Sequence, residues 1–215
     1  TDLIVWQQAT GWQSGETSDL EIWQGALRTS WNHLRQAVCY GESSNGVRYG
    51  DIGAAKEVSN IAEVQARQQR FHEEYSRQID EELFWGVWLN SMFDMGSSRY
   101  VRGVRNSGVV AGDHKSCKDL FYLYKSQWNR RKGTLHIVDK MRNFRKEEQQ
   151  TITVYSSAGQ PEMTINGEVI VCKSVAPTVY RTDTLTLTGK NDIKVKVMDK
   201  SDEMTLTIGN YLKVK

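Results

Sequence analysis

"QAVCY", residues 36–40, is an apolar run without polar alternation, which is typical of a strand covered on both faces. "DLIVW" (2–6) and "LFWGVWL" (83–89) are runs of the same kind. A helical pattern lies in each interval between them. This order predicts a βαβαβ unit with a parallel sheet that is either open or closed into a barrel.

The two predicted helices each carry an apolar face. Ser18 and Glu21 have the spacing of a capping box, so we expect the first helix to begin there and to run over 19–35. Its apolar residues recur at helical spacing and are Leu20, Trp23, Leu27, Trp31 and Leu34. The second helix, about 60–82, has Glu and Arg opposite an apolar face of Ile61, Val64, Phe71, Tyr75 and Ile79.

After about residue 130 the apolar residues recur with a period of two. The alternating segments are "TITVYS" (151–156), "EMTINGEVIV" (162–171), "DTLTLTG" (183–189), "DIKVKVM" (192–198) and "EMTLTIG" (203–209). Asn166-Gly167 marks a tight hairpin turn. The pattern predicts a β-sandwich of roughly 80 residues, with one face of each strand buried. The expected fold class is therefore α/β followed by all-β.

Charge and composition narrow the range of partners. The 215 residues include 28 basic and 26 acidic side chains, and the net charge of +2 is too balanced to favour nucleic acid or an anionic membrane. No apolar run approaches the roughly 20 residues that span a bilayer. The start, "TDLIVWQQ", has neither an initiator Met nor a signal pattern, so we expect a processed or cut chain.

The cysteines and histidines do not form a pattern that binds metal. Cys39, Cys117 and Cys172 are widely spaced and lack a CxxC pair, which predicts free thiols rather than a disulfide framework or a zinc site. The four histidines lack metal-ligand spacing and are expected to be surface or structural residues: His33, His72, His114 and His136. We expect no metal and no cofactor.

Polar side chains follow the three predicted strands at the points where functional groups collect in parallel α/β folds. Glu42 follows "QAVCY", Gln7, Gln8 and Trp12 follow "DLIVW", and Asn90 and Asp94 follow "LFWGVWL". Carboxylates, amides and indoles together are typical of a sugar site. From these residues alone, Glu42 is either such a functional acid or a helix cap or surface acid.

Longer motifs carry a resemblance to glycoside hydrolase family 2, the β-galactosidase and β-glucuronidase family. "FWGVWLNSMFDM" (84–95) with "GVRNSGVVAGDHKSCKDLFYLYKSQW" (103–128) resembles the end of that family's catalytic barrel. "DLIVWQQATGW" resembles its sixth strand, and "CYGESSNG" its seventh, which carries the nucleophile. "ITVYSSAGQPEMTINGEVI" is similar to the immunoglobulin-like domain that follows the barrel.

The resemblance implies the last strands and helices of a (β/α)8 barrel over 1–128 and an immunoglobulin-like sandwich over 129–215. It implies a retaining exo-glycosidase in which Glu42 is the nucleophile. The acid/base Glu of the family lies on the fourth strand, upstream of Thr1, so we expect a fragment that is not catalytically competent alone. The expected partners are a carbohydrate and the upstream part of the same enzyme, and a homo-oligomer is left open.

Two departures from the family pattern bear on the substrate. Ala9 stands where the family has a Tyr beside the nucleophile, and Asn90 stands where it has a Trp under the sugar. The arginines near the predicted site have two interpretations: they are solvated loop residues, or they bind an acidic or sulfated sugar, which is our hypothesis. They are Arg48, Arg99, Arg102 and Arg105. The candidate substrate-binding residues are Trp6, Gln8, Trp12, Arg48, Asn90 and Arg99.

Other residues near the predicted site have structural interpretations. Trp85 and Trp88 are expected to pack within the barrel, Trp6 and Trp12 either pack or bind, and Asp94 either accepts loop hydrogen bonds or contacts sugar. A second function stays open, namely a non-catalytic carbohydrate-binding relative or accessory module. The resemblance also implies export to the periplasm or cell exterior of a bacterium.

Overall fold

The structure of the chain is a computed structural model that describes residues 3–8, 10, 15–41, 61–96, 104–105 and 108–209. Its contacts divide the chain into two compact units, Thr1–Leu120 and Phe121–Lys215. The division falls within the helix Asp119–Trp128, and the domain boundary at 128/129 stays a prediction. Among the described residues, no helix combines the length and apolar character needed to cross a bilayer.

The first unit contains the predicted βαβαβ order. Its elements are β1 (Leu3–Gln8), α1 (Asp19–Trp31), β2 (Arg35–Gly41), α2 (Ile61–Gln78), β3 (Phe84–Asn90), β4 (Met95–Gly96), β5 (Val104–Arg105) and the start of α3 (Asp119–Trp128). β1, β2 and β3 form one sheet in that order, and both pairs are parallel. The predicted parallel sheet is confirmed.

The helices pack on one face of this sheet. Trp6 of β1 meets Trp23 and Trp31 of α1 edge-on, with ring centroids 6.2 and 6.1 Å apart, and Trp23 stacks on Phe84 of β3 at 5.7 Å. The residues buried in this unit include Leu20, Leu27, Val38, Phe71 and Tyr75. The predicted apolar faces are therefore confirmed for the described residues within the helices, whereas Leu34 and Ile79 lie beyond the helix ends. The side chains of Ile61 and Val64 lie outside the described part.

Two details of the predicted helices are wrong. The first helix ends at Trp31, because the chain enters β2 at Arg35, and the second ends at Gln78. Ser18 makes no side-chain cap hydrogen bond, because its φ of −60° and ψ of −25° are already helical and a capping residue needs an extended backbone. The Asp19 carboxylate instead accepts a hydrogen bond from the Glu16 amide at 3.0 Å.

On the opposite face of the sheet, several large apolar side chains of the described residues are exposed to solvent. Side chains alternate along β1, so Leu3 and Val5 point away from the Trp6 side and are exposed. Trp85 and Trp88 are 57% and 42% exposed and meet each other edge-on at 5.4 Å. The packing of both indoles within a complete barrel stays a prediction, because this chain supplies only the last predicted strands of that barrel.

The second unit is the predicted β-sandwich. After α3 its strands are β6 (Leu135–Ile137), β7 (Phe144–Arg145), β8 (Gln149–Gln150), β9 (Thr153–Ser156), β10 (Glu162–Ile165), β11 (Glu168–Ile170), β12 (Cys172–Ala176), β13 (Val179–Thr182), β14 (Leu185–Thr186), β15 (Gly189–Val197) and β16 (Lys200–Ile208). One sheet has the order β11-β10-β15-β16-β7 and the other β12-β13-β9-β6. Short 3₁₀ turns occupy Arg130–Lys132 and Lys140–Arg142.

The sandwich buries one side of its strands, as the period of two predicts. In β15 and β16 alternate residues are buried, among them Ile193, Val195, Met204 and Leu206. Asn166 and Gly167 join β10 to β11 with φ values of 53° and 87°, which confirms the hairpin turn. The segment 183–189 is not one strand, because β14 covers only Leu185–Thr186 and β15 begins at Gly189. At the break between them, Asn191 Nδ2 donates to the carbonyl oxygens of Thr188 and Gly189.

The cysteines carry free thiols, as predicted. Cys172 lies in the sandwich core, and burial raises the pKa of its thiol to about 11. Cys117 is exposed, and burial raises the pKa of the half-buried Cys39.

Candidate functional site

The carboxyl ends of β1, β2 and β3 meet at one edge of the parallel sheet. The register pairs Gln8 with Tyr40 and Gly41 with Asn90, so these strand ends are direct neighbours. Glu42 follows Gly41 in the sequence and lies outside the described residues. The residue that precedes the candidate nucleophile, Gly41, therefore lies directly beside Asn90, the last residue of β3.

Trp6 lies below this edge, on the helix side of the sheet. Besides its edge-on contacts with α1, its Nε1 donates a hydrogen bond to Gln36 Oε1 at 2.9 Å. Gln36 in turn donates through Nε2 to the carbonyl oxygen of Trp31 at 3.0 Å. Of the two interpretations of Trp6, these contacts support packing, and its contact with sugar stays a prediction.

Gln8 organises the backbone that leaves β1. Its Oε1 accepts hydrogen bonds from the amide and the hydroxyl of Thr10, at 2.9 and 2.6 Å. The carbonyl oxygen of Thr10 accepts a hydrogen bond from the buried Tyr75 hydroxyl of α2 at 2.9 Å. This chain of contacts ties Thr10, just beyond the end of β1, to both Gln8 and α2.

Asn90 is half-buried at the end of β3 and is joined to Ser91 by a cis peptide bond. Ser91 Oγ donates to the carbonyl oxygen of Phe93 at 2.8 Å, which tightens the first turn beyond the strand. Of the predicted binding residues, the structure thus brings Gln8 and Asn90 to the same edge.

Asp94 has the loop-holding contacts that the sequence suggested. Its Oδ1 accepts a hydrogen bond from the Gly108 amide at 2.9 Å and one from Lys118 Nζ at 2.6 Å. Both charged side chains are buried, and the ion pair was not predicted. The sequence signal for it was weak, because Lys118 and Gly108 stand among other polar and small residues.

Several predicted site residues lie outside the described part of the chain. They are Ala9, Trp12, Glu42, Arg48, Arg99 and Arg102. Arg105 belongs to β5, which pairs with β4, and only its backbone is described. The assignments of Glu42 as nucleophile and of Trp12, Arg48 and Arg99 as binding residues stay predictions.

The titratable groups with shifted pKa values lie apart from the strand-end site. Burial lowers the pKa of His72, on α2, to about 3. Hydrogen bonds from the Ser116 hydroxyl and from the Ser116 and Lys115 amides lower the pKa of the exposed Asp113 to about 2. Within the described ranges, no three His, Cys, Asp or Glu side chains are grouped so that they could hold a metal ion.

Comparisons with known proteins relate the chain to glycosidases. No family model matches it. A β-glucuronidase from Bacteroides fragilis is 27% identical over 219 residues, which are 96% of this chain and 31% of that protein. The chain thus spans about a third of the length of this relative.

Solved structures establish the fold of the matched part. An FMN-binding β-glucuronidase from Faecalibacterium prausnitzii L2-6 aligns with 97% of this chain and 32% of its own, with a TM-score of 0.79 and 23% identity. A protein named as a β-galactosidase, from Bacteroides fragilis, aligns with 97% of this chain and 33% of its own, with a TM-score of 0.81 and 21% identity. The parallel sheet followed by a sandwich is therefore an arrangement that these proteins share.

Proposed function

We propose that this chain is the C-terminal part of a retaining, exo-acting β-glycosidase of the glycoside hydrolase family 2 type. In this proposal residues 1–128 supply the last strands and helices of a (β/α)8 barrel, and 129–215 form an immunoglobulin-like domain. The remaining strands and the acid/base carboxylate come from the upstream part of the same enzyme. The proposed location is the bacterial periplasm or cell exterior.

The observation that carries the proposal is the match with a β-glucuronidase over 96% of the chain. The register of the parallel sheet agrees with it, because Gly41 lies opposite Asn90 and Glu42 comes next in the sequence. In barrel enzymes the catalytic side chains stand at the carboxyl ends of strands, where rigid strands deliver them to the substrate.

The proposed mechanism has two steps at one anomeric carbon. Glu42 attacks this carbon and forms a glycosyl-enzyme, while the upstream carboxylic acid gives its proton to the departing oxygen. The same upstream group then takes a proton from water, which attacks the anomeric carbon and releases Glu42 as a carboxylate. The sheet and helices described above hold the strand that presents Glu42.

We propose an acidic sugar, and a glucuronide in particular, as the substrate. Two of the relatives are named β-glucuronidases, and a glucuronide carries a carboxylate. Arg48, Arg99 and Arg102 are close in sequence to the two strand ends, and a guanidinium group binds a carboxylate through two parallel hydrogen bonds. A sulfated sugar would use the same chemistry.

Covalent trapping in the full-length protein tests the function. A 2-deoxy-2-fluoro glucuronosyl fluoride should label Glu42. The fluorine at C2 slows both steps, while the reactive fluoride leaving group keeps formation of the glycosyl-enzyme faster than its release, and peptide mass spectrometry identifies the site. Glu42→Gln should lose both labelling and at least about a thousandfold of the hydrolysis of p-nitrophenyl β-glucuronide.

The controls separate the nucleophile from other acids and the acidic sugar from a neutral one. Glu21→Gln changes an exposed carboxylate of α1 and should leave hydrolysis unchanged. The corresponding galactosyl reagent should label more slowly. Labelling at another residue would exclude Glu42, and faster labelling by the galactosyl reagent would exclude the acidic sugar.

The alternative, a non-catalytic carbohydrate-binding module, draws on the departures at Ala9 and Asn90. Such a module would bind glucuronides without labelling of Glu42. The described strands and turns of the sandwich offer it little support, because their exposed large apolar side chains are methionines and valines: Met141, Val169, Val171, Val175 and Met198. Sugars are stacked by aromatic faces rather than by such residues.

A further inference from the structure

The segment that follows Asn90 is bound to two later stretches of the chain. The Val109 amide donates to the carbonyl oxygen of Ser91 at 3.3 Å, and the Val110 amide to that of Met92 at 2.9 Å. The Lys118 amide donates to the carbonyl oxygen of Val109 at 3.1 Å. Three stretches, 91–94, 108–110 and 117–118, therefore run side by side directly beyond the end of β3.

The ion pair of Asp94 and Lys118 joins these three stretches. The side chains are 6% and 7% exposed, and Asp94 Oδ1 receives both Lys118 Nζ at 2.6 Å and the Gly108 amide at 2.9 Å. A single carboxylate oxygen thus connects residue 94 to residues 108 and 118. The strands β4 and β5 lie between residues 94 and 108 and pair with each other, so that Met95 is opposite Arg105.

The energetics of such a pair favour a role in fixing geometry. Removing two charges from water costs several kcal/mol per ion, and a buried pair is often no more stabilising than apolar side chains of the same volume. Losing one partner, by contrast, leaves an uncompensated buried charge. The pair therefore contributes little to the net free energy of folding. Any arrangement in which residues 94, 108 and 118 separate is nevertheless unfavourable, because it leaves a buried charge unpaired.

We propose that the Asp94–Lys118 pair is a positioning element of the glycosidase site, which acts through Asn90. The β2–β3 ladder already holds the backbone of Asn90 beside Gly41. The pair fixes the turn that begins at Ser91, and thereby sets how the Asn90 side chain is oriented at the candidate site. This inference rests on the proposed function. It adds two residues to the site that do not touch substrate but determine how a substrate-contacting residue is oriented.

A double-mutant cycle in the full-length protein tests it. Lys118→Met keeps the length of the side chain and removes the charge, and Asn90→Ala removes the residue that the pair positions. Each variant should lower kcat/KM for p-nitrophenyl β-glucuronide about 10- to 100-fold, as expected for a misplaced contact. If Lys118 acts through Asn90, the double variant should be no worse than Asn90→Ala alone.

A matched control removes a buried cation elsewhere. Arg145 in the sandwich is buried, and its Nη1 donates to Gln150 Oε1 at 2.6 Å. Arg145→Met should lower the thermal midpoint as Lys118→Met does, but it should cause little loss of kcat/KM. In a double variant with Asn90→Ala, the fold-losses of kcat/KM from the two substitutions should multiply, because Arg145 does not act through Asn90. Asp94→Asn, which keeps an acceptor for the Gly108 amide, replaces Lys118→Met if the latter does not fold.

The outcomes separate this inference from the function on which it rests. A wild-type protein that hydrolyses neither p-nitrophenyl β-glucuronide nor the β-galactoside overturns both. Two outcomes with an active wild type overturn only the positioning role. In the first, Lys118→Met is as active as the wild type; in the second, the losses of kcat/KM from Lys118→Met and Asn90→Ala multiply in the double variant. If neither Lys118→Met nor Asp94→Asn yields folded protein, the pair is a folding element and the proposal is wrong.

Discussion

His72 lies on the buried side of α2, where it is 3% exposed and meets the Phe71 ring edge-on at 5.3 Å. Burial lowers its pKa from 6.5 to about 3, because desolvation disfavours the imidazolium. The folded pKa is thus below the unfolded one. The stability that depends on a neutral His72 is fully present above about pH 6.5 and is lost as the pH falls toward 3, by about 1.4 kcal/mol per pH unit.

Replacing His72 should therefore make the protein less sensitive to acid. We expect His72→Gln to lower the thermal midpoint at pH 7.5, because the packed ring is lost. Between pH 7.5 and 4.5 the midpoint should fall less in the variant than in the wild type, which loses roughly 3 kcal/mol through His72 over this range. His33→Gln, at an exposed position, is the control. Equal falls in His72→Gln and the wild type would contradict a neutral buried His72.

The elements show which features a sequence pattern can predict. Continuous apolar runs predicted β1 to β3, and a period of two predicted β9, β10, β11, β15 and β16, because burial on one or two faces determines these patterns. The strands β6, β12 and β13 of the sandwich were not predicted. The same runs could not predict that Trp6 faces α1, since a run without alternation does not show which side each residue takes. The strand-end location of the site was predictable, whereas the Asp94–Lys118 pair depends on contacts between residues 24 positions apart.

Gly108 shows how closely the stretches beyond β3 approach each other. A Cβ at this position would lie 2.2 Å from Asp94 N and from the carbonyl carbon of Phe93, and 2.7 Å from Val110 O. These are backbone atoms, so they cannot move aside as a flexible side chain could. The crossing of these stretches therefore requires glycine at this position.

Gly108→Ala should destabilise the protein by at least about 2 kcal/mol, because the added methyl group forces packed backbone apart. Gly25→Ala is the matched control: it lies on α1 with no atom within 4 Å of the added Cβ, and should stabilise by about 0.5–1 kcal/mol. Thermal unfolding of both variants measures the difference. A midpoint for Gly108→Ala at or above that of the wild type would show that the stretches are farther apart.

At the scale of the whole molecule, the sandwich has a core cluster of its own, and the described sheet of the first unit has an exposed apolar face. The buried core cluster of the sandwich runs from Ile137 to Ile208 and lies wholly within residues 119–215. The first unit instead leaves Leu3, Val5, Trp85 and Trp88 exposed on one face of its sheet. A sheet face of this kind is stable in water only when another layer covers it.

We therefore expect residues 119–215 to fold alone and residues 1–120 to aggregate alone. The sandwich keeps its whole core in the shorter chain, so urea should unfold it in a single cooperative transition with dispersed amide resonances beforehand. Ile193→Asp, which places a charge in this core, should abolish the transition, whereas Lys173→Met, at an exposed ion pair, should leave it unchanged. If residues 1–120 alone were soluble and folded cooperatively, the exposed face of their sheet would need no covering layer. One physical reason for assigning these residues to a larger barrel would then be removed.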